Sequence, residues 1–252
     1  MDFETFKKLM VLTRREFVLT SRDISVAILF FAAPVALIAI IGRPLADMYV
    51  GESGKAIVPL VLAAMFSFFS ISAFGWAVYR EVLWSTDTRL RTVGLSMATI
   101  VTAKAIPILV TIMVETVVVI VVGMAILGAP LPHHLFAVGI IMLSLFVCQV
   151  GITLALITVT KSVQQLAQAT TLIAVVLGAL GGSIVPSNRL PGWARFLGHL
   201  TPQYWANVGL RQAVAQHLGA STIGAAAALL FVGLGLSSVC IPRIKWTELR
   251  AK

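Results

Sequence analysis

Charged side chains are scarce in this chain: only 12% of its 252 residues are Asp, Glu, Lys or Arg, and only 10 residues are acidic. It has two cysteines, Cys148 and Cys240, and both fall in or beside apolar stretches. That placement excludes a disulfide framework and a Cys-rich metal site. Hydrophobic residues make up 59% of the chain, against roughly 45–50% in soluble domains. The composition therefore excludes a water-soluble protein and predicts a single membrane domain.

The chain also lacks a complete motif for catalysis within a membrane. Its four histidines all fall in predicted external segments, and the predicted spans contain a single acidic residue, Glu115. The phosphate-binding pattern G-x-x-x-x-G-K-[ST] is missing, because Lys55 is followed by Ala56 and lies in a predicted external loop. A pair of Ser183 with an external histidine is left open. The sequence predicts that this chain is not an enzyme and binds neither ATP nor another cofactor.

Six apolar runs are each long enough to form a tilted transmembrane helix. They cover residues 24–42, 56–79, 105–128, 135–159, 167–186 and 222–241. Because the number of spans is even, both termini should lie on one side of the membrane. The sequence predicts an all-α, polytopic membrane protein with six transmembrane helices.

Basic residues are distributed unequally between the predicted loops. Most of the 19 Lys and Arg residues fall in the two tails, in the loop between spans two and three, and in the loop between spans four and five. The positive-inside rule places these segments in the cytoplasm. The net charge of +9 therefore reflects orientation in a cell (inner) membrane, with both termini cytoplasmic, and not nucleic-acid binding.

Residues 1–23 have the periodicity of an amphipathic helix. Phe6, Leu9, Met10 and Phe17 share one face, and charged residues lie opposite. We expect this helix to lie in the lipid of the inner-leaflet interface. A cytoplasmic helix packed on a partner protein is the alternative, and both can hold together.

The one carboxylate deep in a predicted span has two interpretations. Glu115 falls near the middle of span three, and an ionisable residue at that depth is costly and by default suggests function. It forms either a proton or cationic-substrate site, or a structural hydrogen bond across a helix or subunit interface. The sequence leaves both open.

The segment 80–104, between spans two and three, mixes charged residues with leucines as an amphipathic docking helix would. A solvated connecting loop is the alternative. The segment's characteristic residues, in chain order, are Glu81, Thr86, Arg89, Leu90, Leu95, Ser96 and Lys104. With these residues the segment resembles the coupling segment of permease subunits of type-two ABC exporters, although Ser85, Gly94 and Ala103 replace the Gly, Pro and Gly of that pattern.

The external loop, residues 187–221, follows a run of helix breakers and is rich in aromatic residues. Prolines in it can each start a short helix, and its aromatic side chains suit the outer interface. Because non-helical backbone at membrane depth needs protein or water around it, we expect a re-entrant external cap over an exit path. The segment is similar to the signature that follows span five in the same exporter family. The helix breakers are Gly181, Gly182 and Pro186, and the cap residues are Pro191, Trp193, Pro202 and Tyr204.

The resemblance covers essentially the whole chain. It implies a permease in which this chain and a second permease, identical or homologous, form the pathway, and in which separate cytoplasmic ATPase subunits bind ATP and Mg. It also implies that residues of the 80–104 segment couple ATPase movement to the membrane. These are Glu81, Thr86, Arg89, Leu90 and Arg91.

The character of spans two and five bears on the substrate. Phe66 and Phe69 in span two, with many small residues in span five, suit an amphipathic or hydrophobic substrate, such as a drug, antibiotic or lipid-like molecule. A Phe-rich face toward lipid is the alternative. We place Phe66, Phe69, Glu115 and the three helix breakers on the substrate path or gate. The rival functions are a membrane enzyme and a non-transporting scaffold for an ATPase.

Overall fold

A computed structural model describes residues 3–21, 24–49, 53–84, 86, 92, 94–215 and 219–244. All regular structure in these ranges is helical, which confirms the predicted all-α class. The helices are α1 (Phe3–Ser21), α2 (Ile24–Ala46), α3 (Ser53–Ser70), α4 (Ser72–Leu83), α5 (Met97–Leu127), α6 (Leu135–Val159), α7 (Val163–Leu180), α8 (Gly192–His199), α9 (Pro202–Val214) and α10 (Ala220–Cys240), with single 3-10 turns at Ser187–Arg189 and Ile241–Arg243.

Five stretches of the described residues are long and apolar enough to cross a membrane. A shorter apolar stretch, Phe30–Ala46 within α2, corresponds to the first of the six predicted spans. The protein is therefore a polytopic, all-α membrane protein. The five long stretches are Gly54–Glu81, Met97–Leu127, Leu135–Val159, Val163–Leu180 and Ala220–Arg243.

Local sequence explains where the long helices begin and end. The Ser96 hydroxyl accepts a hydrogen bond from the Thr99 amide at 3.2 Å and caps the start of α5. The same helix ends at Gly128, whose φ of 63° is a conformation that favours glycine. Ser162 caps α7 in the same way, because its hydroxyl accepts from the Gln165 amide at 3.1 Å.

The helices run alternately between the two ends of the bundle. At one end, which we call the charged end, α1 packs against the beginning of α5, beside the end of α4. The Tyr79 hydroxyl donates to the Thr160 carbonyl at 3.1 Å, which places the α6–α7 connection at this end as well. The opposite end contains the α2–α3 connection, the end of α7, and the helices α8 and α9.

Two clusters of buried apolar side chains fill the bundle. The cluster toward the charged end includes Leu12, Phe74 and Leu154, and the cluster toward the opposite end includes Leu60 and Leu145. Since the first cluster contains side chains of α1, the N-terminal helix packs on the bundle through one face and leaves another face uncovered.

Candidate functional site

Four buried ionisable side chains meet at the charged end. The Lys104 ammonium contacts the carboxylates of Glu81 at 2.7 Å and Glu16 at 3.1 Å. Arg80 pairs with the other oxygen of Glu16 at 2.5 Å. We call Glu16, Arg80, Glu81 and Lys104 the ion cluster. It contains two charges of each sign, so each buried charge has an opposite charge beside it, as burial requires.

Three different helices supply the ion cluster. Glu16 lies on the face of α1 that also buries Leu12, one turn earlier, and both are less than 10% exposed. Arg80 and Glu81 come from the last turn of α4, and Lys104, 1% exposed, comes from the early part of α5. The ion cluster therefore joins the N-terminal helix to both spans that flank the 80–104 segment.

The described part of the 80–104 segment folds back on the ion cluster. The Thr86 amide donates to the Glu81 carbonyl at 2.9 Å, and the Thr86 hydroxyl donates to the Glu81 carboxylate. Arg15 approaches the same carboxylate at 3.2 Å from the side of α1. Of the five residues predicted for coupling, Glu81 and Thr86 thus contact each other. The other three, Arg89, Leu90 and Arg91, lie outside the described residues.

Two large apolar side chains are exposed beside the ion cluster. Leu83 and Trp84, at the end of α4, are 58% and 54% exposed. The guanidinium of Arg80 lies 5.3 Å from the centre of the Trp84 ring, a cation–π distance. An exposed apolar surface connected in this way to buried charges is suited to docking another protein.

Within the membrane, the helix α3 carries the two phenylalanines that were predicted for the substrate path and, beside them, two serines that were not. Phe66 and Phe69 are half-buried, and their ring centroids lie 5.4 Å apart. Ser67 and Ser70 are buried. The Ser67 hydroxyl accepts from the Gln149 side chain at 2.7 Å. Phe66 and Phe69 therefore stand beside a buried polar layer, and their role in a substrate path stays a prediction.

Glu115 belongs to that polar layer. Its Oε2 atom accepts a hydrogen bond from the Ser70 hydroxyl at 2.5 Å, and its side chain is 2% exposed. The other oxygen, Oε1, has no hydrogen-bond partner in the part of the chain that the structure describes. No Lys, Arg or His of the described residues forms an ion pair with it. The contact joins spans two and three of one chain.

We predict that Glu115 holds these spans together through its hydrogen bond and not through its charge. Glu115→Gln keeps an oxygen for Ser70 to donate to, so the thermal midpoint of the purified protein should stay near wild type. Ser70→Ala leaves the Glu115 oxygen without its donor and should cost about 1–3 kcal/mol of stability. If the midpoint of Glu115→Gln falls as far as that of Ser70→Ala, the charge of Glu115 holds the spans together instead.

At the opposite end, a polar network surrounds the helix breakers. Gly181 follows α7, and the backbone turns at Gly182, whose φ is +86°. The side chain of Asn207 donates to the Gly181 carbonyl at 2.9 Å and to the Ser183 hydroxyl at 3.0 Å. Gln203 donates to the same hydroxyl at 2.8 Å. Asn207 and Gln203 lie one turn apart on α9. Their hydrogen bonds therefore fix α9 against the turn that follows α7.

The α2–α3 connection joins this network through an aromatic side chain. The Tyr49 hydroxyl donates to the Gly182 carbonyl at 3.4 Å, and the Arg211 guanidinium lies 5.1 Å from the Tyr49 ring centre. Burial raises the pKa of the Tyr49 phenol above its ordinary value, although the neighbouring Arg211 acts in the opposite direction. The phenol therefore keeps its proton at neutral pH and remains a hydrogen-bond donor.

The remaining cap residues lie on the two short helices. Pro191 precedes α8 directly, and Pro202 is the first residue of α9. Trp193 is 68% exposed. The Tyr204 ring lies 4.3 Å from the ring of His199. Of the predicted external loop, residues 216–218 lie outside the described part of the chain.

Several residues of these sites were missed from sequence. Glu16 lies four residues after Leu12 on the buried face of α1, a spacing that could have identified it. In the sequence, Arg80 is only one of the basic residues of the loop between spans two and three. Gln203 and Asn207 stand four residues apart, which also indicates one helical face. No sequence signal distinguishes Tyr49 from an ordinary external aromatic residue.

Comparison with models of known protein families gives a match over most of the chain. A family model described as ABC-2 type transporter matches residues 7–215. That range contains all four residues of the ion cluster, the polar network around Ser183, and the helices α8 and α9. A search of curated proteins finds no match.

Proposed function

The chain belongs to the ABC-2 type transporter family, and from this premise we propose that it is the permease subunit of an ATP-driven exporter. It moves an amphipathic or hydrophobic substrate, such as a drug, antibiotic or lipid-like molecule, out of the cytoplasm or the inner leaflet. Separate cytoplasmic ATPase subunits bind ATP and Mg and drive the cycle. The permease lies in the cell membrane with both termini and the charged end in the cytoplasm.

The ion cluster is the observation that carries this proposal. It links α1, α4 and α5 through contacts of 2.5–3.1 Å, and Glu81 within it also binds Thr86 of the 80–104 segment. Packed and charge-paired elements move together, since separating them would leave buried charges unpaired. An ATPase that pushes on the exposed Leu83 and Trp84 surface therefore moves three helices at once.

The exposed face of α7 supports an amphipathic path. Gln164, Gln168 and Thr171 follow one another at helical spacing and are exposed, and they continue into the apolar Leu172 and Val175. These residues line a groove of about 570 Å³. Side-chain amides are poorly accommodated against lipid, so this face turns toward a second permease subunit. The mixed lining between the two subunits suits a substrate with both polar and apolar parts.

The first experiment is purification of the tagged chain in a mild detergent, with identification of co-purifying proteins and an assay of ATP hydrolysis. We expect a separate ATPase subunit with a nucleotide-binding motif. Transport is then followed in vesicles with ethidium as the drug-like probe and NBD-labelled phosphatidylcholine as the lipid-like probe. If conditions that preserve membrane complexes give no ATPase, the exporter proposal is wrong.

Coupling is tested most cleanly at Thr86. Thr86→Val removes the hydroxyl that donates to Glu81 and keeps the shape of the side chain. We expect ATP-driven transport to fall about tenfold, which corresponds to about 1.4 kcal/mol, close to the lower limit of the roughly 1.5–3 kcal/mol of one hydrogen bond to a charged group. The thermal midpoint should change by only a few degrees, because Glu81 keeps both Lys104 and Arg15.

Thr102→Val is the matched control. Thr102 is exposed in the early part of α5, and its hydroxyl donates only to the Ala98 carbonyl of its own helix. Transport by this variant should equal that of the wild type. If Thr86→Val and Thr102→Val transport equally well, Thr86 has no role in coupling.

A further inference from the structure

An apolar groove runs along the outer side of α1. Its volume is about 420 Å³. Phe6, Met10 and Phe17 on its wall are each about half exposed, although each is large and apolar. Contiguous exposure of this kind indicates a surface that is covered by another apolar molecule. The full lining is Phe6, Leu9, Met10, Thr13, Arg14, Phe17, Val18 and Ile106.

Positive charge lies at the edge of this groove, and no acidic side chain that the structure describes neutralises it. Arg14 lines the groove and is exposed, and Lys7 is exposed two turns earlier on the same flank. Neither forms an ion pair with any residue that the structure describes. Arg15, by contrast, points to the other side of α1 and pairs with Glu81. These two cations, unpaired within the described part of the chain, thus flank the apolar wall.

A buried polar atom without a partner lies beside the groove. The Thr13 hydroxyl is buried and makes no hydrogen bond within the described ranges, and Thr13 is one of the residues that line the groove. An occupant with an apolar body and an anionic head would fill the groove and pair with the cations at its edge.

We propose that this groove is a binding site for an anionic phospholipid of the inner leaflet. An acyl chain lies along Phe6, Met10 and Phe17, and the phosphate contacts Arg14 and Lys7. Basic residues next to an apolar helix face bind anionic lipid through charge, whereas phosphatidylcholine gains only the apolar contact. The proposal relies on the proposed function only for placing the charged end at the cytoplasmic leaflet.

The site has a direct structural connection to the ion cluster. Glu16, which pairs with Arg80 and Lys104, lies on the buried face of α1. The lipid groove lies on the uncovered face of the same helix. A bound lipid therefore holds α1 in the position that keeps Glu16 in the ion cluster.

The test measures lipid association with the full-length purified chain in nanodiscs. Spin-labelled phosphatidylglycerol and spin-labelled phosphatidylcholine are compared by the immobilised fraction in the electron paramagnetic resonance spectrum. We expect the wild type to prefer phosphatidylglycerol. Lys7→Gln with Arg14→Gln should weaken phosphatidylglycerol association by about fivefold for each charge removed and leave phosphatidylcholine association unchanged.

Lys161→Gln is the control, because Lys161 is exposed at the charged end but lies at the α6–α7 connection. It should keep the full lipid preference. Inorganic phosphate should fail to displace the labelled lipid, because phosphate alone cannot fill the apolar groove. Equal association of both lipids with the wild type, or an equal loss in Lys161→Gln, overturns the proposal. Lipid binding is measured without ATP, so a missing ATPase partner would contradict the exporter function and leave this site intact.

Discussion

Replacing Lys104 by methionine should lower the stability of the folded protein by about 3–5 kcal/mol, the usual cost of removing one partner from a buried ion pair. Lys104 is 1% exposed and contacts both buried carboxylates of the ion cluster. Without it, Glu16 keeps Arg80, but the only cation that Glu81 keeps among the described residues is Arg15, whose side chain is 38% exposed, besides the hydrogen bond from Thr86. One buried carboxylate is then poorly compensated.

A second substitution separates charge from packing. In Lys104→Met with Glu81→Gln, both partners of the 2.7 Å contact are neutral, and the pair of Glu16 with Arg80 remains. We expect this double variant to be more stable than Lys104→Met alone, because the uncompensated charge is gone. If the double variant loses as much stability as the two single variants together, Lys104 and Glu81 are not energetically coupled.

Thermal unfolding can be followed through the protein's own thiols. Cys148 and Cys240 are both free and buried, so a thiol-reactive dye labels them only as the structure opens. We expect the unfolding midpoint of Lys104→Met to fall by roughly 10 °C. Lys161→Met removes the same charge at an exposed position of the charged end and should shift the midpoint by only a degree or two.

The ion cluster also shows where prediction from the sequence ended. The spans could be predicted because a run of about 20 consecutive apolar residues has the length and composition to cross a membrane as a helix. Glu81 could be identified because it belongs to a segment with a recognisable pattern. The pairing of Glu16 with Arg80 and Lys104 could not be predicted, because a buried ion pair depends on which helices become neighbours. The chain separation of Glu16 and Lys104 carries no information about that contact.

The opposite end illustrates the same limit. Gly181, Gly182, Pro191 and Pro202 mark the breaks and starts of helices, since these residues restrict or free the backbone locally. Gln203 and Asn207 read as ordinary polar residues of an external loop. In the structure they are buried and donate back to the end of α7. These two amides are buried and hydrogen-bonded only because α9 packs against the end of α7, and the sequence does not show that contact.

The contact between α6 and α10 depends on two glycines. A Cβ atom added at Gly233 would lie 2.6 Å from the backbone nitrogen and Cα of Cys148, and one at Gly151 would lie 2.5 Å from the Gly233 carbonyl oxygen. These neighbours are backbone atoms and cannot move aside by changing a rotamer. Small residues allow this close approach. Close packing stabilises the contact through dispersion, which matters in a membrane because lipid provides no hydrophobic driving force between helices.

Gly233→Ala should therefore destabilise the protein by about 3 kcal/mol, at the upper end of ordinary overpacking, with a fall in the unfolding midpoint of roughly 5–10 °C. Gly235→Ala is the matched control, because Gly235 lies two residues further along α10 and an added Cβ would meet no atom within 4 Å. Alanine is a better helix former than glycine by about 1 kcal/mol, so the control should be neutral or slightly more stable. The two variants make the same chemical change in the same helix. If the unfolding midpoint falls in Gly233→Ala and stays or rises in Gly235→Ala, the close approach of α6 and α10 determines stability here. Equal midpoints would mean that these two helices can move apart at little energetic cost.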